Sequence, residues 1–164
     1  RKFAKIILAK TEEIEALEEI KKIGLEPMAK NFTFEAFQKL LNKKRSGKIK
    51  EILMDQNIIA GIGNIYANEI LWQAKINPLL DIKSLTLKEK KKIYKAIKEI
   101  LSAAIKLRGS TIADEMYRDT KGKVGDYGKM LKVYQQERCS RCGMPIKRVV
   151  QKGRSTFYCP QCQG

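Results

Sequence analysis

The chain has 164 residues, room for one domain or two small ones, and 43% of them are apolar, enough to bury a core. Its 34 Lys+Arg against 18 Asp+Glu leave a formal charge of +16, which points to a polyanionic partner, nucleic acid before an anionic membrane. No apolar run approaches the ~18 residues of a membrane span and no signal-peptide pattern is present, so a spanning or secreted protein is excluded and a soluble, cytoplasmic one expected; with no histidine, imidazole chemistry is excluded too.

Arg1 to Leu8 alternates in the short apolar manner of a strand. With the first methionine at Met28, the chain reads as a piece of a longer protein, and residues 1–10 as the remnant strand of an upstream sheet. Thr11, Glu12 and Glu13 predict a helix start, with Ile14, Leu17 and Ile20 as its apolar face and Gly24 and Pro27 as its end. Thr33 predicts the cap of the next helix, whose Phe34, Phe37, Leu40 and Leu41 read as a core face rather than a base-stacking platform. Lys43, Lys44, Arg45, Lys48 and Lys50 make a basic run broken at Ser46–Gly47, either a solvated linker or a contact surface.

Ile49 to Met54 is helix-like and leads into Asp55–Gly63, where two glycines in three positions mark a turn. Asn64 then stands where a new helix opens, as a candidate cap, at a point suited to anions because free N–H groups point outward. Such a corner is either a phosphate clamp or an ordinary bend in a core. Asn77–Pro78 is the predicted stop of the following helix. Thr86–Leu87–Lys88–Glu89 is a capping box that opens the longest helix, running to about Arg108, with Ile93, Ile97, Ile100, Leu101 and Ala104 facing inward. From Gly109 the glycines at 109, 122, 125 and 128 punctuate a loop; Arg108 to Thr111 is either a mobile segment or a helix C-terminus with its glycine. Val133 and Tyr134 suggest a strand into the last module.

All four cysteines fall in that module as Cys139-x2-Cys142, sixteen residues, then Cys159-x2-Cys162. Two such knuckles give a closed tetrahedral site, and four thiolates in an intracellular basic protein favour one structural Zn2+ over disulfides. Between the pairs, alternation around Lys152–Gly153 predicts a β-hairpin. From Arg138 onward there are six Lys/Arg and no acid, so the metal-loaded module keeps about +4, and Arg154 at its tip is the residue to single out. The expected fold is mainly α: a helical domain over 11–132 followed by a four-cysteine zinc-finger hairpin over 133–164.

Together these stretches resemble the formamidopyrimidine-DNA glycosylase family, over nearly the whole chain. Ile49–Lys50, Leu53 to Gln56, Ala60 to Ala67 and Asn77–Pro78 are similar to its helix–two-turns–helix element; Gly109 to Thr111, Val133–Tyr134 and Cys139 to Gln163 are similar to its later loop and zinc finger. The resemblance implies a bifunctional DNA glycosylase and AP lyase of base excision repair. Such an enzyme everts an oxidised purine (8-oxoguanine or formamidopyrimidine) from duplex DNA, cuts the glycosidic bond and nicks by β,δ-elimination.

By position, Asn64 and Arg45, with Lys50 beside them, would contact phosphates around the everted nucleotide. Arg154 would be the finger arginine that grips phosphate and assists δ-elimination. Arg1 would face the orphaned base and Phe3 would wedge into the stack. Cys139, Cys142, Cys159 and Cys162 would hold zinc. The partner would be damaged double-stranded DNA, bound by a monomer in a bacterial-type nucleoid.

Two departures stand out. The family's proline nucleophile and glutamate belong to an N-terminal β-sandwich, so the chain reads as the DNA-gripping half, inactive alone. Ala113 stands where a basic residue is usual. Two alternatives have the same motifs: an endonuclease VIII-like glycosylase for oxidised pyrimidines, and a non-enzymatic DNA-binding module.

Overall fold

The computed structural model describes residues 6–44, 46–111 and 122–164. The predicted first strand lies partly outside this range, and Ile6–Leu8 form no strand; Ile6 and Leu8 are almost fully exposed. A lone strand has no edge on which to satisfy its backbone. The predicted first helix is also corrected. Residues Thr11–Ala16 form a 3-10 turn, Leu17 is extended, and only one helical turn follows, α1 (Glu18–Lys21). Ile14 and Ile20 stay exposed; no side chain among the described residues caps either start, and no residue of either turn is buried.

The remaining helices follow their sequence signals. In α2 (Phe34–Lys43) the Thr33 hydroxyl accepts the Ala36 amide at 3.2 Å, and Phe37 and Leu41 are buried. Its aromatics pack with Phe32 and Tyr94, confirming a core role; the Tyr94 hydroxyl donates to the Phe32 carbonyl at 2.9 Å. The long α5 (Leu87–Lys106) carries the full capping box, with the Glu89 carboxylate accepting the Thr86 amide at 2.7 Å. Ile93, Ile97, Ile100, Leu101 and Ala104 face the core as expected. Each large aliphatic side chain so buried contributes roughly 1.5–3 kcal/mol.

Between α3 (Ile49–Leu53) and α4 (Asn64–Ala74) lies the corner. Helix α4 is the central element, packed on α5 along one side and on the hairpin along the other. It ends earlier than Asn77–Pro78 suggests. Lys75 turns left-handed at φ 59 and the Ile76 amide bonds back to the Leu71 carbonyl, which closes the helix before the proline is reached.

After a 3-10 turn at Tyr127–Met130, Val133 and Tyr134 form a turn instead of the predicted strand. The finger hairpin is β1 (Lys147–Gln151) and β2 (Arg154–Tyr158), antiparallel with Gln151 opposite Arg154. Both turn residues have positive φ, Lys152 at 45 and Gly153 at 74, the primed turn that matches strand twist. Trp72 from α4 joins Val133, Cys139 and Cys159 in a second core beneath the finger. Among the described residues no helix is long and apolar enough to cross a membrane.

Candidate nucleic-acid interface

The corner is held by side chains that leave its glycines outermost. Ile58, Ile59 and Ile62 are buried and anchor the loop. Gln56 spans it, its amide donating to the Met54 and Ile62 carbonyls (3.1 and 3.0 Å) and its oxygen accepting the Gly61 amide at 2.8 Å. From behind, the Gly24 and Leu25 amides donate to the Gln56 and Ile58 carbonyls. A Cβ on Gly24 would lie 2.3 Å from the Ile58 carbonyl carbon, so that glycine is a close approach as well as a helix terminator.

Gly61 needs glycine for its φ of 82. Gly63 does not: at φ −95, ψ −178 any residue fits, and a Cβ would meet nothing within 4 Å. The chain itself makes no demand for glycine there. What remains is open access for another molecule at the start of α4, where no side chain caps the first amides.

Asn64 is the first residue of α4 and not its cap; Gly63 holds that position. The Asn64 side chain turns back instead, and its Oδ1 accepts Lys50 Nζ at 2.7 Å. Lys50 is only 1% exposed despite the basic run it belongs to. Its ammonium also donates to Thr156 Oγ1 at 2.7 Å and to the Ser155 carbonyl at 3.0 Å, both on β2. Burial first, and the nearby Arg154 guanidinium second, lower this ammonium from 10.5 to about 8. An ammonium can only donate, so it fixes the flip of the Asn64 amide: oxygen toward Lys50, Nδ2 hydrogens away from it.

Arg154 opens β2 at the hairpin tip and is exposed. It lines, with Lys50, Glu51, Asp55, Gln151 and Lys152, a cleft of about 300 Å³ between α3 and the hairpin. Lys152 Nζ pairs with Glu51 Oε2 at 2.9 Å across that cleft. Lys50 and Arg154 therefore share one cleft, and Asn64, which does not line it, is joined to Lys50 by a hydrogen bond. Arg1, Phe3, Arg45 and Ala113 lie outside the described residues.

Four further residues, none of them a site residue expected from the sequence, hold the two parts together. Asn68 accepts the Phe157 amide at 2.8 Å, and Glu69, itself buried, accepts the amides of Lys132, Val133 and Tyr134 at 2.9, 3.0 and 2.9 Å. Trp72 reaches Cys139, and from the finger Gln163 donates to the Ile76 carbonyl at 2.8 Å. The available signal is positional: Asn64, Asn68, Glu69 and Trp72 fall on one face of α4 at helical spacing.

The four cysteine sulfurs lie within 4.8 Å of one another, Cys142 and Cys159 at 3.5 Å and Cys139 and Cys162 at 4.0 Å. A tetrahedral zinc with ~2.3 Å bonds puts its sulfurs about 3.8 Å apart, so the set fits one zinc ion. Burial pushes the Cys139 thiol up, but hydrogen bonds led by the Trp72 indole outweigh it and bring the thiol down to about 6. Cys162 is pushed up to about 12, first by its hydrogen bond with Cys142. Four thiolates this close need a shared cation.

Comparisons with known proteins match both parts. Residues 23–116 match the formamidopyrimidine-DNA glycosylase H2TH domain, and residues 136–164 match the zinc finger found in FPG and IleRS. The formamidopyrimidine-DNA glycosylase of Pelotomaculum thermopropionicum is 42% identical over 99% of this chain and 59% of its own length. That of Thermus thermophilus is 36% identical over 100% of this chain and 62% of its own. The crystal structure of the Thermus thermophilus MutM (Fpg) protein superposes with TM-score 0.84 at 37% identity, over 92% of this chain and 57% of that one. A complex of Lactococcus lactis Fpg with DNA containing an abasic site gives 0.81 at 39% identity, over 93% and 56%. The chain thus spans about 60% of the length of these curated relatives.

Proposed function

Because the chain belongs to the formamidopyrimidine-DNA glycosylase family, we propose that it is the DNA-gripping part of a bifunctional glycosylase and AP lyase that removes oxidised purines. The observation that carries this is Lys50, which lines one cleft with Arg154 between α3 and the hairpin and also donates to Asn64 at the start of α4. Related structures hold damaged DNA, including a Lactococcus lactis complex with Fapy-dG-containing DNA.

In this reading one lesion-bearing strand runs past the open face of Gly63. The uncapped amides of α4 and the outward Nδ2 of Asn64 donate to a phosphate there. Arg154 approaches from the hairpin and grips a phosphate through its planar fork, which holds it as leaving group in the δ-elimination step. Lys50 sits behind both as a strut. Arg45 adds a phosphate contact, Arg1 faces the orphaned base and Phe3 fills the gap left by the everted nucleotide. The Schiff-base step belongs to an N-terminal proline amine, which is not among these 164 residues, so alone they are inert toward the lesion. The protein works as a cytoplasmic, nucleoid-associated monomer.

The test is fluorescence anisotropy with a duplex carrying an abasic-site analogue, titrated between about 50 and 200 mM KCl. The native chain should show a steep loss of affinity with salt. Arg154→Ala should weaken binding and reduce the slope by about 0.9, the share of one phosphate contact. Unchanged affinity in both Asn64→Ala and Arg154→Ala would refute the grip.

A further inference from the structure

Trp72 is the single tryptophan of the chain, 6% exposed, on the last turns of α4. Its indole Nε1 lies 3.4 Å from Cys139 Sγ. An indole N–H donates and cannot accept, and this sulfur is its one acceptor among the described residues. A second contact comes from the same knuckle. Arg141, between Cys139 and Cys142, stacks its guanidinium 3.5 Å from the ring centroid. Arg141 also donates to the Trp72 carbonyl and, at 3.2 Å, to the Gln73 carbonyl. The knuckle is therefore clamped to α4 through both the edge and the face of one ring.

We propose that Trp72 is an outer-sphere donor to the zinc-bound thiolate of Cys139 and that, with Arg141, it makes retention of the metal depend on α4. Four thiolates on one Zn2+ leave a net charge of −2 in a half-buried site. A donor aimed at one sulfur draws off part of that charge. It favours the metal-bound thiolate over a protonated free thiol, since the anion is the stronger acceptor. The donor belongs to a helix outside the finger, so the finger does not hold its metal by its own residues alone.

Trp72→Phe keeps a ring beneath Arg141 and removes the N–H. Equilibrium transfer of zinc to a chromophoric chelator near neutral pH should show affinity lower by about tenfold or more. With Co2+ in place of zinc, the sulfur-to-cobalt charge-transfer band should move to longer wavelength in Trp72→Phe, a change that packing alone would not produce. A variant that keeps native zinc affinity, or whose cobalt band does not move, overturns the proposal. The native chain gives an independent readout should the variant misfold: stripping zinc with EDTA should change the emission of this lone indole, and an unchanged spectrum also overturns it.

Discussion

Lys50→Met separates a strut from a DNA contact. Lys50 lies in the most basic stretch of the chain, and its position suggests a phosphate ligand. Its ammonium is nevertheless buried and bonded to Asn64, Ser155 and Thr156. Methionine matches the stem, leaves no unpaired charge, and keeps the Thr156 hydroxyl bonded to Gln151 at 2.8 Å. The Asn64 amide loses the partner that sets its flip, at a cost of up to one charge-assisted hydrogen bond, about 1.5 kcal/mol or roughly tenfold in affinity. No phosphate neutralisation is lost, so the plot of log affinity against log salt keeps its slope. Arg154→Ala in the same anisotropy titration provides the contrast. Losing one contact lowers the slope by about 0.9, so that between about 50 and 200 mM salt the variant loses about 3.5-fold less affinity than the native chain does. A slope reduced by the same amount in Lys50→Met would mean that the ammonium meets a phosphate after all, and the strut would be refuted.

Gly63→Ala should leave the fold within about 1 kcal/mol of native, the small loss of a poorer N-cap, while DNA affinity falls because the methyl occupies the strand's approach; urea melts beside anisotropy would read both, and undiminished binding would deny that approach. Glu69→Gln can keep one oxygen for the Val133 and Tyr134 amides but turns an amide N–H against the Lys132 donor, so stability should drop by about 1–3 kcal/mol with a lower urea midpoint. The Lys50 ammonium, lowered from 10.5 to about 8, supplies a pH signature. Between those values the unfolded chain holds a proton that the folded one has released, so stability attributable to this residue rises with pH. Native chain minus Lys50→Met, compared below and above that window, should therefore grow more favourable; a difference that stays flat or falls would contradict the burial.

Local signals served best where a single segment contains its own cause. The capping box of α5 and its apolar spacing need no distant partner, and neither do the paired cysteine knuckles or the Lys152–Gly153 turn. The burial of Lys50 is not legible in the basic run around it, because the groups that bury it, Ser155 and Thr156, stand 105 and 106 positions away. Asn68 and Glu69 read as an ordinary polar face of a helix until the finger folds back over them. The segment from Thr11 fails for the converse reason: its apolar spacing is right, but none of its turns buries a residue, Ile14 and Ile20 included. Residue type alone puts the cap at Asn64, one position too late, because the side chain that claims its oxygen comes from α3.

The row along α4 also limits how this protein can be rebuilt. A metal-binding hairpin looks like a cassette that recombination or a designer could lift out and graft elsewhere. Here the graft would leave behind the amide that meets Phe157, the carboxylate that receives three amides of the connecting turn and the indole beneath Cys139. Chimeras that exchange residues 133–164 alone should be poorly soluble or metal-poor, while those that move α4 with them should recover. In this chain the finger's supports lie on α4, so a graft boundary placed before Gly63 keeps them with it.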